Sequence, residues 1–275
     1  MHRLEQSIRD VFVEGPLDKR VIKGILADAG FGTVSVHSIQ DVEISPSLLE
    51  KHGLTTGERQ RLITLALVCK EALPAGSQSL TCWVDADCEV VLNEIAENGF
   101  LLLTDYSCLE GYFWSDGAVG RLLRFHSSSI GGAIPTLLES LNACVRRIFL
   151  LRAAALWKKV PVRWIPFKDF VAVENHRVVL DHEGYLQRAL IASGLASKAQ
   201  VLFAAIEALE SIVPRDCRYA MNGHDALEML ALCLKGLKVA KPHSDDLFFG
   251  LFMGADWSSI LEQPSIRNLL RRVSV

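Results

Sequence analysis

LTCWVDAD, residues 80–87, decides how this 275-residue chain reads. Leu80, Cys82, Trp83 and Val84 crowd together instead of alternating with polar residues. A strand exposed on one face alternates; a run like this one suits a strand covered on both faces of a parallel sheet. GFLLLTD (99–105) repeats the pattern, so both are expected as central parallel strands. Upstream, DVFVEG (10–15) and TVSVHSI (33–39) read as two further strands. Trp83, on a central strand, is expected in the core.

Helical patterns separate these strands. Pro16 suits a first helical turn, and Leu17, Val21, Ile22, Ile25 and Leu26 follow helical spacing toward a terminator at Gly30. TTGERQRLITLALVCKEAL opens with a candidate capping box, Thr55 with Glu58, and continues as a largely buried helix; PAGSQS (74–79) reads as a loop. Strand and helix alternate from residue 10 to about 115, which predicts an α/β fold with an open parallel sheet of about four strands. Helices dominate beyond residue 128. IPTLLESLNACVRRIFLLRAAALWKK reads as one long helix, and 164–180 holds a candidate hairpin turning at Glu174-Asn175. Further helices are expected in EGYLQRALIAS, KAQVLFAAIEALESI, HDALEMLALCLKGL and IRNLLRRV. The expected division is a catalytic domain over 1–125 and a mainly helical subdomain over 126–275.

Half the residues are hydrophobic and 22% are charged, a globular composition, and the net charge of −3 advertises no global nucleic-acid field. The seven cysteines form no C-x-x-C pair and lie mostly in apolar runs, so they read as reduced, buried thiols. MHRLEQSIRD is polar and carries no signal-peptide pattern. IFLLRAAALW is too short and too charged to span a membrane. A cytoplasmic protein that avoids membranes is expected.

The chemistry-bearing residues fall at strand ends. Strand one ends in Glu14, strand three in Asp85-Ala86-Asp87, and strand four in Asp105 with Glu110 soon after. Parallel strands bring these ends to one edge, where ligands of open α/β sheets bind. Asp85 and Asp87 face the same way if the strand stays extended. Carboxylates gathered there repel one another, and then take up protons or bind a cation. An all-oxygen set suits Mg²⁺ or Mn²⁺. Taken singly, each acid also reads as a turn or cap residue.

VFVEGPLDKRVIKGIL followed by WVDADCE resembles the Toprim domain, the Mg²⁺-dependent catalytic domain of topoisomerases, bacterial primases and overcoming-lysogenization-defect nucleases. VEGPLDKR, VDAD, LTDYSCLEGYF and NGHDALEML together resemble a narrower bacterial family of Toprim-like proteins. That family includes the nuclease partner of an ATPase in anti-phage defence. The resemblance covers the first 115 residues, and the helical part mainly through NGHD. It implies that Glu14, Asp85 and Asp87 are catalytic and metal-binding, with Asp18 and Glu110 as further candidate ligands. Gly111 stands where that family usually has Asn, and two residues separate Ser107 from Glu110. It implies a Rossmann-like Toprim fold and a metal-dependent nuclease that hydrolyses phosphodiester bonds of RNA, tRNA favoured, or DNA. It further implies a toxic effector of abortive infection, held by a separate ATPase partner. A homodimer is a further expectation. Glu14 reads as a ligand or a general base.

Eight Lys and Arg between 121 and 163, against Glu139 alone, give that stretch a net +7 and leave −10 elsewhere. Arg121, Arg124, Arg146 and Arg147, with Lys19, are candidate contacts to a nucleic-acid backbone; a solvated helix or a partner interface reads equally well. NGHDAL reads as a helix start capped by Asn222 or Asp225, and the resemblance makes His224 a candidate substrate-phosphate or proton-transfer group. There is no G-x-x-x-x-G-K-[ST], so no P-loop, and no G-x-S-x-G elbow to go with RFHSSS. The alternative reading is a non-catalytic interaction protein with a degenerate metal site.

Overall fold

The computed structural model describes all residues except 1–7, 75–78, 94, 96–97, 240–241 and 275. Much of the expected 74–79 loop and of the polar N-terminal stretch therefore lies outside the described residues. The chain divides into two compact units. One holds the described residues up to Ala86, Ile95–Asp105, and those from Trp257 onward; the other holds 87–94 and Tyr106–Asp256. The boundaries fall after residues 86, 94, 105 and 256, and the C-terminal segment belongs with the sheet.

The first unit carries β1 (Asp10–Val13), β2 (Ser35–Ser38), β3 (Leu80–Val84) and β4 (Leu101–Leu103) in one parallel sheet, in the order β2-β1-β3-β4. The α/β fold with a four-stranded parallel sheet is as the apolar runs required. β4 is a correction: it is an edge strand, not a central one. Its leucines are apolar because the C-terminal helix packs on it, and Arg272 Nη2 reaches Leu101 C=O at 3.3 Å. Helix α1 (Pro16–Asp28) packs on β1 and β2, and its stripe Val21, Ile22, Ile25, Leu26 is buried. A short helix α2 (Pro46–Lys51) precedes α3 (Glu58–Ala72), which packs on β3. Leu62, Ala66, Cys82 and Val84 are fully inaccessible in that core, and each large side chain contributes about 1.5–3 kcal/mol by leaving water. Trp83 on β3 is 2% exposed. Thr55 does not cap α3: Gly57 is the N-cap, two residues later, and makes no side-chain cap bond.

The second unit begins with α4 (Glu89–Leu92) and α5 (Asp116–His126), and is built around α6 (Ile134–Trp157). The hairpin β5 (Val171–Glu174) and β6 (Arg177–Leu180) packs on α6, and Ser140 Oγ accepts from Val178 N–H at 3.0 Å. Its turn is Asn175-His176, not Glu174-Asn175. Both turn residues have positive φ, 49° and 60°, as the twist of a two-residue hairpin demands. Then come α7 (His182–Ala192), α8 (Ala199–Ile212), α9 (Gly223–Gly236) and α10 (Ser244–Met253). The first unit closes with α11 (Trp257–Leu261) and α12 (Pro264–Val273). All seven cysteines are buried thiols outside any disulfide. Burial pushes the Cys69 and Cys144 thiols up to about 11 and those of Cys217 and Cys233 up to about 12. Among the described residues no helix is long and apolar enough to cross a membrane.

Candidate active site

The sheet order reverses direction between β1 and β3. From β1 the chain crosses to β2 on one side; from β3 it crosses to β4 on the other. Outside the carboxyl ends of such a strand pair lies the crevice where open α/β sheets take their ligands. Glu14 follows the last residue of β1 and Asp85 follows the last residue of β3. They touch: Glu14 Oε1 accepts from the Asp85 N–H at 3.2 Å. The carboxylate thus serves a donor just past the end of the β3 strand. Two neighbours hold this edge. Ser38, ending β2, donates its hydroxyl to Glu14 C=O at 3.2 Å, and Thr104 Oγ1 accepts from Ala86 N–H at 2.9 Å. On the far side of Asp85, Arg59 Nε donates to its C=O at 3.2 Å. Ser38, Thr104 and Arg59 were not among the residues the sequence singled out. Nothing local marks them, since each reaches the site through the tertiary fold.

The other acids have different placements. Asp18 accepts from the Gly15 N–H at 2.7 Å, the return half of a capping box at the start of α1. Asp105 receives the Ser265 N–H at 3.0 Å and is also bonded by the Ser265 hydroxyl, so it serves the N-terminus of α12. The expected common facing of Asp85 and Asp87 required an extended backbone. That condition fails: β3 ends at Val84 and Asp87 has φ 47°. Asp87 opens the second unit, where its N–H donates to Ser107 C=O at 2.7 Å.

In the second unit, two segments of the sequence meet. Ser107 is 3% exposed; its hydroxyl lies 2.6 Å from Met221 C=O and accepts from Met221 N–H at 3.0 Å. A Cβ on Gly223 would fall 2.0 Å from Glu110 Oε2, so the Glu110 carboxylate sits against the first turn of α9. That is a favourable place for a negative charge. Asn222 is the α9 cap, accepting from Asp225 N–H at 3.2 Å, and His224 is exposed. A Cβ on Gly111 would fall 2.6 Å from Tyr106 Cβ, which explains why glycine stands where the resembling family has Asn.

The basic residues are largely engaged. Arg146 Nη1 lies 2.5 Å from Glu210 Oε2, its Nη2 donates to Val213 C=O and its Nε to Pro214 C=O, closing the end of α8. Arg147 reaches the same Glu210 at 2.9 Å. Arg121 is exposed and bonds Gly254 C=O, Arg124 is exposed, and Lys19 pairs with Asp41 at 3.3 Å. An open groove of about 1180 Å³ runs past Asn142, Arg146, Arg147 and Glu210, all in the second unit, and includes neither Glu14 nor Asp85.

A divalent cation makes a definite demand on such a site. Among the described residues no group of three or more His, Cys, Asp or Glu forms a ready-made metal cage. Mg²⁺ does not need one: it keeps its waters and binds through one or two carboxylates plus substrate phosphate. Glu14 and Asp85, two hard-oxygen side chains at adjoining strand ends, fit that demand. No protein-family model matches the chain, and no curated protein matches it.

Proposed function

We propose that this chain is a metal-dependent nuclease, hydrolysing phosphodiester bonds of RNA, with tRNA as the favoured target, or of DNA. The observation that carries the reading is the Glu14–Asp85 contact at the β1/β3 reversal. A structural acid needs no such address; a ligand site in this class of sheet does. The Toprim resemblance of the motifs supports the same chemistry.

Glu14 and Asp85 would hold Mg²⁺ or Mn²⁺. Such an ion, when bound, lowers the pKa of an attacking water and neutralises the leaving oxygen. The protein's own part is orientation. Hydrogen bonding to the Asp85 N–H fixes one oxygen of Glu14 in place. Ser38 and Thr104 hold the backbone at the strand ends, so the carboxylates do not have to be ordered when substrate arrives. In the same reading the chain is a toxic effector of a bacterial anti-phage system, with a separate ATPase partner restraining it. A homodimer and a cytoplasmic location belong to this proposal too.

A second reading is a non-catalytic protein with a degenerate site. The cap roles of Asp18 and Asp105 favour it. Cleavage of tRNA, single-stranded RNA and plasmid DNA with Mg²⁺ or Mn²⁺ separates the two. Wild type is expected to cut one of them, and Asp85→Asn or Glu14→Gln to lose more than about 100-fold of that rate. The amide oxygen introduced by Glu14→Gln still accepts the Asp85 N–H, so a loss of cleavage in that variant reports charge and not folding. Cleavage that survives both substitutions, or metal binding with no cleavage of any substrate, sinks the nuclease reading.

A further inference from the structure

We propose that Arg59 binds the phosphate of the nucleic-acid substrate beside Glu14 and Asp85, an inference that rests on the nuclease reading. A single residue, Asp85, takes the Glu14 carboxylate at its N–H and the Arg59 guanidinium at its C=O, each at 3.2 Å. A phosphodiester approaching two carboxylates is repelled unless positive charge stands next to them. Arg59 stands there. It is half-buried in the first turn of α3, and its anchor through Nε fixes the plane of the guanidinium. That planar fork matches phosphate oxygens in a way a lysine does not. The first turn of α3 adds the positive end of a 15-residue helix. Other cations singled out in the sequence are held elsewhere: Lys19 by Asp41, Arg146 and Arg147 by Glu210. Arg59 is bonded to the site's own backbone.

The test is fluorescence anisotropy with a labelled single-stranded RNA oligonucleotide in Ca²⁺, at several salt concentrations, alongside the cleavage assay. Arg59→Gln is expected to raise Kd about tenfold and to lower the slope of log K against log salt by about 0.7, the share of one phosphate contact on a single strand. A merely structural Arg59 leaves that slope unchanged. Arg59→Lys keeps the charge and loses the fork, so the wild-type slope with a Kd about three- to tenfold weaker is expected. It decides the matter if Arg59→Gln does not fold, and a wild-type Kd for it then overturns the proposal. If wild type cleaves in an Asp85-dependent way while Arg59→Gln binds as wild type does, the Arg59 proposal alone falls. If wild type neither binds nor cleaves nucleic acid, the nuclease reading falls and this inference with it.

Discussion

At Asp225 a residue-scale balance can be read directly. The residue is 8% exposed and its carboxylate is paired with Arg152, whose Nη2 donates at 2.7 Å; Arg152 Nε lies 2.6 Å from the other oxygen, close enough for charge attraction but without hydrogen-bond geometry. Burial raises the Asp225 pKa, and the Arg152 charge and hydrogen bond offset only part of that. Between the ordinary 3.8 and the raised native value the folded state binds more protons than the unfolded one. Stability therefore falls as pH rises through that interval. Arg152→Met strands the carboxylate and is expected to cost about 3–5 kcal/mol near pH 7. Because the neutral acid tolerates burial, the gap between wild type and variant should widen from about pH 4 to about pH 7 in urea melts. The double variant Arg152→Met/Asp225→Leu should recover most of the loss. Asp18→Ala, by contrast, should cost only about 1 kcal/mol, the worth of a helix cap. It should leave metal-dependent cleavage intact; a variant as stable as wild type but inactive would instead make Asp18 a ligand.

Elements show which parts of the pattern were readable and which were not. β3 was legible because a strand buried on both faces must be apolar at consecutive positions; β1 and β2, whose burial alternates, were legible as short Val-rich runs between turn signals. β4 has the same composition for another reason: it is an edge strand that α12 covers, and composition records burial, not position in the sheet. The hairpin register depended on which two residues tolerate positive φ, and two neighbouring choices of turn looked alike in sequence. Gly111 and Gly223 show a tertiary constraint that no spacing reveals. Each lies where another segment's side chain needs the room of a Cβ. Gly111→Asn, the change toward the resembling family's usual residue, should destabilise the chain by about 1–3 kcal/mol in thermal or urea melts, because the side chain overlaps Tyr106. If it is neutral, the backbone around 106–111 adapts and the packing argument fails there.

At the scale of the molecule, the sheet unit is completed by residues far from it in the chain. Ile266 and Leu269 of α12 are fully buried, and the Ser265 N–H donates to the Asp105 carboxylate. Deleting 257–275 uncovers those contacts at about 1.5–3 kcal/mol per large side chain. The truncated chain is expected to lose its cooperative melt, or to yield to proteolysis near the sheet, even though every proposed catalytic residue remains. The sequence by itself determined the α/β class, the parallel strands, the buried thiols and the presence of acids at strand ends, because burial and backbone geometry leave periodic and compositional marks. Only the tertiary structure decided which acids do what. Glu14 meets Asp85 because β1 and β3 are neighbours, Asp18 and Asp105 turn to helix ends, and Arg59 reaches the site across 26 residues of chain. Hydrogen bonds of that kind depend on distance in space, and a one-dimensional pattern does not encode it.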